Sequence, residues 1–418
     1  FWMNTGQGVT TKEDGSFSIT KPSKSHMLIV SFIGFQNDTI HVSSKNQQLD
    51  IVLRDGVELN EVNIVTRKLG TMKLRSSVMN EDMISSAELS RAACCNLGES
   101  FVTNPSVDVS YSDAATGAKQ IKLLGLSGTY VQMLTENIPN YRGAAASYGL
   151  GYVPGPWMQS IQVSKGTSSV KNGYEAITGQ INVEFKKPQL PEADWVSANL
   201  FASTTNRYEA NADATLKLSK RWSTSLLAHY ENETKAHDGN DDGFVDIPQV
   251  EQYNVWNRWA YMGDHYVFQA GIKALSETRT SGQANHGGTM HSGDLYKVGI
   301  DTERYEFFTK NAYIFNKEKN TNLALILSTT LHNQDATYGR KLYNVDQTNV
   351  YASLMFETEF NPQNSFSAGL SFNYDAYDQH YRLENTTGNP LKAFEKQAVP
   401  GAYVQYTLNL NDKWMVMA

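Results

Sequence analysis

The chain has 418 residues, more than one ordinary domain, and this length predicts two or three domains. A net charge of -7, from 36 Lys and Arg against 43 Asp and Glu, excludes the basic surface that nucleic-acid binding requires. Only 40% of the residues are hydrophobic, and no run reaches the roughly 18 apolar residues of a membrane-spanning helix. A membrane protein of this composition must therefore be a β-barrel, since only helices and closed barrels satisfy the backbone in lipid.

The first 54 residues alternate short apolar strands with turn residues. Asp14-Gly15 is a hairpin signal, and Met27 to Phe35 reads as an apolar strand with a glycine near its end. This pattern predicts a small all-β module. The chain opens on FWMNTGQGVTT, inside a strand-and-turn pattern and without a signal peptide, so we expect a sequence truncated at its start.

The next two regions, residues 55–71 and 72–190, differ in composition from this module. VELNEVNIVTRK alternates polar and apolar residues without a hairpin partner, which predicts a linker that can become a strand.

The segment from Ile84 to Pro105 begins with serines suited to capping and predicts one or two short helices. Its adjacent cysteines, Cys94 and Cys95, can bridge only with strain and are interpreted as buried small residues on the first helix. The remainder reads as short strands with frequent glycine, so we predict a mixed α/β domain.

From residue 191 onward the sequence is strand after strand, about ten or eleven in all. Each strand has an apolar face and a polar face, as where Tyr208 and Ala210 alternate with Glu209 and Asn211. A soluble β-sandwich shows the same alternation. The 22 Tyr, 17 Phe and 7 Trp suit strands and also the aromatic girdles of a membrane barrel.

The connections between these strands discriminate between sandwich and barrel. The tight turns are predicted near residues 219–221, 263–264, 316–321, 361–364 and 411–412. The long connections are predicted near residues 233–249, 277–302, 334–346 and 379–398. Strict alternation of short and long connections is typical of an outer-membrane barrel, with short periplasmic turns and long outer loops. We therefore predict a transmembrane antiparallel β-barrel.

Three segments carry a resemblance to a known family. Ile121 to Pro139, IKLLGLSGTYVQMLTENIP, includes Gly125, and Ile161 to Val183, IQVSKGTSSVKNGYEAITGQINV, is the longest and most specific of the three. The second segment contains Gly166, Gly173, Gly179 and Asn182, and its glycines are expected to supply positive φ and close backbone approach. The chain resembles a TonB-dependent outer-membrane receptor of the Bacteroidetes type, in which these segments belong to the plug domain. Lys122-Leu123 and Glu136-Asn137 depart from that pattern, which usually has an arginine-containing pair and Asp-Gly.

The third segment, ELNEVNIV, sits where this family keeps its TonB box. It comprises Glu58, Leu59, Asn60, Glu61, Val62, Asn63, Ile64 and Val65. The resemblance implies that these residues pair with TonB as an added strand, and that energy comes through TonB and its inner-membrane energising complex. A plain interdomain linker is the alternative interpretation of so short a motif.

The resemblance also implies an architecture that is mainly β. We expect a carboxypeptidase-regulatory-like β-sandwich at residues 1–54, a TonB-box linker at 55–71, a mixed α/β plug at 72–190, and the first part of the barrel at 191–418. About half of a roughly 22-stranded barrel would then be present, because barrels of that size hold a plug. We expect truncation at the end of the chain as well, and no closed barrel from these residues alone.

The implied setting is the outer membrane, with outer-membrane lipid around a monomeric barrel and with the plug and N-terminal module facing the periplasm. The implied ligand is a small molecule or metal chelate, with no nucleic acid and no required cofactor. No Gly-x-x-x-x-Gly-Lys-Ser/Thr motif, no CxxC motif and no nucleophile or acid-base constellation can be assembled from the sequence. We therefore expect a transporter and not an enzyme.

Two outer loops contain candidate ligand-binding residues. The first candidate is a structural calcium site, formed by Asp238, Asn240, Asp242, Phe244 and Asp246, whose spacing matches the first part of a calcium loop. Gln249 stands where a bidentate Glu would complete that loop, and a solvated acidic turn is the alternative. The second candidate set is His286, Met290 and His291, since imidazole and thioether suit copper and imidazole also binds haem iron. Histidines in a polar loop are equally consistent with an ordinary solvated surface.

The sequence leaves two classes of function open. The first is TonB-dependent import of a scarce nutrient, with a ferric siderophore or other metal chelate expected and haem, cobalamin or copper as alternatives. The second is a surface-binding or adhesive β protein that does not transport. Deleting residues 58–65 discriminates them, because only the importer needs that segment after its ligand has bound.

Overall fold

The structure of the chain is a computed structural model. The residues that it describes are 2–3, 5, 8–12, 15–22, 26–31, 38–43, 49–51, 71–73, 80–91, 95–101, 104, 107–166, 171, 173, 175–190, 194–283, 296–384, 389–411 and 414–417. The chain divides into two compact units, residues 1–68 and residues 69–418. No helix within the described ranges is long and apolar enough to cross a membrane.

The first unit contains a two-stranded antiparallel sheet. Strand β1 (Met27–Val30) pairs with β2 (Asp38–His41) in the register Leu28 to Ile40. Trp2, Leu28 and Val42 form its small core, which Phe17, Ile19, Val30 and Leu49 cover in part. The indole of Trp2 satisfies its buried N–H by donating to the carbonyl oxygen of Thr20 at 3.0 Å.

The second unit begins with a compact domain of short strands. Its strands are β3 (Thr71–Lys73), β4 (Asn80–Ser85), β5 (Asp108–Asp113), β6 (Ala118–Leu123), β7 (Leu126–Ser127), β8 (Val131–Thr135), β9 (Ile138–Pro139), β10 (Met158–Lys165) and β11 (Gly179–Phe185). One helix, α1 (Ser86–Arg91), and four short 3-10 helices at Leu97–Glu99, Gly128–Tyr130, Gly143–Ser147 and Gly155–Trp157 are the helical elements among the described residues. Short strands and tight turns keep this domain small, as the glycine-rich sequence predicts.

Two sheets organise this compact domain. The larger has the order β3-β4-β10-β11-β8-β9, and the smaller has the order β5-β6-β7. Strand β11 is central and pairs in parallel with β8, and nearly all of its residues are buried. A parallel pairing requires a crossover and is covered on both faces, which explains why GQINVEF includes few exposed polar residues.

An antiparallel sheet of eleven strands follows. Its strands are β12 (Val196–Ala202), β13 (Arg207–Lys217), β14 (Trp222–Glu233), β15 (Gln249–Met262), β16 (Tyr266–Gly282), β17 (Lys297–Asn316), β18 (Thr321–Tyr338), β19 (Lys341–Asn361), β20 (Asn364–Leu383), β21 (Leu391–Asn411) and β22 (Trp414–Met417). Each strand pairs with its neighbour in sequence, and among the described residues β12 and β22 are the two open edges. We call this sheet the wall, and the compact domain of β3 to β11 the plug. The predicted mainly β fold is confirmed.

The two faces of the wall are inverted relative to a soluble sandwich. On one face, Glu209 is 3% exposed and Asn254 is fully buried. On the other, Leu200 is 82% exposed and Ile272 is 62% exposed. The polar face lies against the plug while the apolar face is open, which is the pattern of a barrel that meets lipid outside and holds polar contacts inside.

The connections correct part of the sequence-based expectation. Short turns occur as predicted after β13, β15, β17 and β19. The long connection predicted at residues 334–346 is wrong, because β18 and β19 continue through it to a two-residue turn at Gly339 and Arg340. Strands also extend into the connections predicted at 277–302 and 379–398, which shorten to 283–296 and 384–390. Near these strand ends both faces of the strand carry polar side chains. The apolar–polar alternation in the sequence therefore disappears there, although the backbone pairing between strands continues.

Candidate functional site

The predicted plug glycines occupy strand ends and turns. Gly125, Gly166 and Gly173 have φ of +82°, +86° and +95°, and a β-carbon at each would meet nothing closer than 3.7 Å. Gly179 is different. It opens β11 with φ of +149°, and a β-carbon there would overlap the carbonyl oxygen of Ser164 on the neighbouring strand. Close backbone approach therefore occurs at Gly179, and the other three positions need only the positive φ that glycine tolerates.

Asn182 organises the turn that joins β8 to β9. Its side-chain oxygen accepts from the backbone N–H of Asn137 at 2.8 Å, and its amide donates to Gln162 at 3.1 Å and to Glu184 at 2.8 Å. Glu136 and Asn137 form this two-residue turn with φ of 51° and 63°. The departure from Asp-Gly thus keeps the positive φ that such a hairpin turn requires.

Glu136 connects the plug to the wall. Its carboxylate contacts Arg258 on β15 at 2.6 Å and Lys310 on β17 at 3.4 Å, and its carbonyl oxygen accepts from Lys310 at 2.6 Å. Arg258 also donates to the carbonyl oxygen of Lys186 at 2.7 Å. Burial opposes ionisation of Glu136, but the positive charges of Arg258 and Lys310 outweigh it and lower its pKa to about 2. Glu136 is thus a buried carboxylate that the wall neutralises.

A second set of contacts joins the plug to β16 and β17. Lys273 donates to the hydroxyl of Tyr141 and to the carbonyl oxygen of Tyr152, both at 3.1 Å. Asn140 donates to Glu306 at 2.9 Å and accepts from Arg304. Arg304 also lies over the ring of Tyr141, 5.3 Å from its centre. Because the partners are buried, these contacts fix where the plug sits on the wall.

A third set joins the plug to β19 and β20. Arg142 pairs with the fully buried Asp375 at 3.1 Å and with Glu175 of the plug at 2.5 Å. The backbone N–H of Ala144 donates to Gln347 at 3.0 Å. The neighbouring Gly143 has no room for a β-carbon beside Tyr377 and Gln347. Polar side chains from the inner face of the wall therefore hold the plug at three separated places.

An apolar core is shared between plug and wall as well. Trp157 and Phe185 of the plug pack against Trp256 of β15, with ring centres 6.2 Å and 4.6 Å apart. Arg258 lies over the same indole, 4.5 Å from its centre. This core sits beside the Glu136 ion pair and excludes water from it.

A cavity of about 190 Å³ lies between the plug and strands β13 to β16. Its lining includes Lys119 and Glu99 from the plug and Arg207, Glu233 and Arg279 from the wall. Thr205 and Pro248 also line it, and they belong to the connections before β13 and β15. The cavity therefore lies at the end of the wall opposite the short turns.

The candidate calcium loop forms a network of its own hydrogen bonds. Asp238 accepts from the backbone N–H groups of Asp242 and Gly243, and Asp242 accepts from that of Phe244. Asn240 donates to Asp242 at 2.9 Å, and Asp246 accepts from Gly239 at 2.6 Å. Across the described part of the chain no group of three or more His, Cys, Asp or Glu could hold a metal ion. Calcium binding here stays a prediction.

The other candidate ligands lie outside the described residues. This applies to His286, Met290 and His291, and to the whole of the segment from Glu58 to Val65. Cys94 is outside them too. Cys95 is buried after helix α1 and not on it, and burial raises the pKa of its thiol. Its neutral, buried thiol fits a packing role.

Four cations of the wall contact the plug, and the sequence did not single them out. Arg258, Lys273, Arg304 and Lys310 all stand on the polar face of their strands and all contact the plug. Alternation could have assigned them to the inner face. Their partners could not have been assigned, because Glu136 and Arg258 are 122 residues apart in sequence.

Comparisons with known proteins agree with this architecture. A family model described as a CarboxypepD_reg-like domain matches residues 1–64, and one described as a TonB-dependent Receptor Plug Domain matches residues 73–180. The Vitamin B12 transporter BtuB of Vibrio vulnificus is 24% identical over 185 residues, which are 44% of this chain and 30% of that protein.

Solved structures share the fold at low identity. Pseudomonas aeruginosa FpvA bound to a heterologous pyoverdine has a TM-score of 0.64 at 12% identity, covering 82% of this chain and 51% of that one. The ferric yersiniabactin uptake receptor FyuA of Yersinia pestis has a TM-score of 0.55 at 14% identity, covering 81% and 63%. The chain thus spans less than two thirds of the length of each. With a regulatory-like domain, a plug that matches the TonB-dependent receptor plug model and eleven described strands of wall in this order, the chain is similar to the TonB-dependent outer-membrane receptors.

Proposed function

We propose that this chain belongs to an importer that carries a scarce nutrient across the outer membrane, and that the nutrient is a ferric siderophore or another metal chelate. The observation that carries the proposal is a plug held by buried polar contacts on the polar face of an antiparallel wall whose other face is apolar. A lipid-facing wall with a plugged interior serves regulated passage of a solute.

The buried ion pairs between the plug and the wall support the proposal that the plug can move. Ion pairs such as Glu136 to Arg258 and Arg142 to Asp375 contribute little beyond their desolvation cost while they are buried. Their charges regain water when the plug shifts, which offsets part of the lost attraction. A plug held in this way can leave the wall at a lower cost than one held by an apolar core of equal area.

The energy for that movement is proposed to come from TonB. The segment from Glu58 to Val65 would add a strand to TonB, with backbone hydrogen bonds supplying the grip. A pull on that segment acts on the first strand of the plug, because β3 follows it in the chain and pairs with β4 in the larger plug sheet. The plug and N-terminal module would face the periplasm, and no catalytic chemistry is needed.

The choice of a metal chelate is supported by the relatives. FpvA is named with pyoverdines and FyuA with ferric yersiniabactin, whereas BtuB is named for vitamin B12. Cobalamin, haem and copper are therefore the alternatives within the same class. A surface-binding protein that does not transport is the alternative outside it.

Calorimetric titration of the receptor, purified in detergent from its own host, tests the ligand class. Ferric siderophores, haem, cobalamin and copper(II) are titrated in turn, with the iron-free siderophores as matched controls. We expect saturable binding of a ferric siderophore at micromolar concentration or tighter, and at least about tenfold weaker binding of its iron-free form. Binding of cobalamin, haem or copper alone would replace the proposed substrate. No binding of any of them to the folded receptor would favour the adhesive alternative.

A further inference from the structure

Four tyrosines lie on the plug side of the wall, at the end of β18 to β20 that is farthest from the short turns after β17 and β19. They are Tyr338, Tyr343, Tyr377 and Tyr381. Tyr343 shares a face of β19 with Gln347, and Tyr377 shares a face of β20 with Asp375, because alternate residues of a strand point the same way. Gln347 and Asp375 both contact the plug. We call the four residues the tyrosine surface.

The tyrosine surface begins at the plug and continues along the wall away from it. Gln347 donates to the hydroxyl of Tyr377 at 3.1 Å, and this hydroxyl leaves no room for a β-carbon on Gly143 of the plug. Tyr343 and Tyr381 are directly opposite each other on β19 and β20, farther from the plug. All four tyrosine side chains are only half-buried, so part of each ring can contact a ligand that rests on the plug.

The polar groups of the tyrosine surface are almost all uncharged. The hydroxyl of Tyr343 donates to the side chain of Gln379 at 2.8 Å. Beyond Asp375, strands β18 to β21 as described place two Lys, Arg, Asp or Glu residues on this face, Lys341 next to the turn and Glu395 on β21. Their charges are opposite, so the surface has no net charge. Glu395 is directly opposite Tyr377, which places the negative charge close to the tyrosines.

The plug does not supply a spare positive charge here either. Its Arg142 already pairs with Asp375 at 3.1 Å and with Glu175 at 2.5 Å. An anion that settled on the tyrosine surface would lose water without gaining a free cation, and it would approach Glu395, both of which are unfavourable. An uncharged ligand avoids these costs. Tyrosine rings offer it large, rigid contact area, and hydroxyl and amide groups offer it hydrogen bonds.

We propose that the tyrosine surface binds the imported chelate and selects one without net negative charge. A ferric trihydroxamate, whose iron centre is neutral, fits this surface, whereas a ferric tricatecholate, which is multiply anionic, does not. This inference rests on the proposed function and narrows it to one charge class of ligand. The selectivity comes from the absence of a free cation on the described part of this face, together with the presence of Glu395.

Calorimetric titration of the detergent-purified receptor with a ferric trihydroxamate and a ferric tricatecholate tests the charge preference. We expect the trihydroxamate to bind at least about tenfold more tightly. Tyr343→Ala should weaken its binding at least about tenfold, because a ring contact in the middle of the surface is lost. Tyr305→Ala is the matched control, since Tyr305 is 48% exposed on the opposite, apolar face of β17, and it should leave binding unchanged.

A second variant keeps the test independent of any loss of packing at Tyr343. Glu395→Lys changes an exposed side chain and adds positive charge beside Tyr377, so it should reduce the preference for the trihydroxamate at least about tenfold.

Three results would overturn the proposal. Tighter or equal binding of the tricatecholate would reject the charge preference and leave the import of a metal chelate standing. Equal effects of Tyr343→Ala and Tyr305→Ala, with an unchanged preference in Glu395→Lys, would place the ligand elsewhere. Binding of neither chelate by the folded receptor would reject this inference, and the proposed function would fall with it only if the other chelates of the panel also failed to bind.

Discussion

Gly179→Ala is expected to open the core of the plug, increasing amide hydrogen exchange in β10 and β11 by more than about a hundredfold. A β-carbon at residue 179 would overlap the Ser164 carbonyl oxygen, and backbone atoms of paired strands cannot yield as a flexible side chain can. The strand is buried on both sides, so relief requires β10 and β11 to separate. A cost above about 3 kcal/mol corresponds to that change in rate, since about 1.4 kcal/mol is a factor of ten.

Gly166→Ala is the matched control for this result. Gly166 also has a positive φ and lies at the same end of this strand pair, directly after β10, but no atom lies within 4 Å of a β-carbon there. We expect a cost of about 1 kcal/mol from the backbone conformation alone, and hence about fivefold faster exchange. Equal effects of the two substitutions would show that close approach at Gly179 is not what determines the stability of the plug.

Glu136→Gln is expected to loosen the plug from the wall by about 3 to 5 kcal/mol, because it leaves Arg258 buried without its partner. Hydrogen exchange of β8 and β9 should report the loss, while the outer strands of the wall stay protected. Glu136→Met combined with Arg258→Met should recover most of it, since an apolar pair avoids the uncompensated charge. If the double substitution is as damaging as the single one, the ion pair is not the origin of the effect.

The same residue gives a pH dependence of defined sign. The pKa of Glu136 is lowered to about 2 in the folded protein, against about 4.3 for an unperturbed Glu. A lowered pKa means that the stabilisation is present above about pH 4.3 and is lost as the pH falls towards 2. The gap in melting temperature between wild type and Glu136→Gln should therefore be constant above about pH 5 and shrink below it. A gap that grows on acidification would contradict this assignment.

The strands and the plug could be predicted from the sequence, for physical reasons that particular residues illustrate. Alternation around Tyr208 and Glu209 identified strands with two different faces, and the long motif from Ile161 to Val183 identified the plug. The structure adds which face is which, because Glu209 is buried against the plug side and Leu200 is exposed. Alternation shows which residues share a face of a strand, but it does not show which of the two faces is buried. Only the three-dimensional packing shows that.

The contacts between the plug and the wall could be predicted less well from the sequence. Glu136-Asn137 stood out as a departure from the family pattern, and the structure turns this departure into a tight turn whose acid meets Arg258 and Lys310. No local rule pairs residues so far apart along the chain. The extension of β18 and β19 to Gly339 was missed for a related reason, since polar residues on both faces carry no periodic signal.

Energised import is the central claim, and ligand uptake by cells that lack residues 58–65 of the receptor tests it most directly. Radiolabelled ligand from the calorimetric panel is supplied to these cells and to wild-type cells, with and without a protonophore. We predict that the deletion reduces uptake to the level of protonophore-treated wild-type cells, while ligand binding at the cell surface is retained. A deletion strain that accumulates ligand at the wild-type rate would contradict the account.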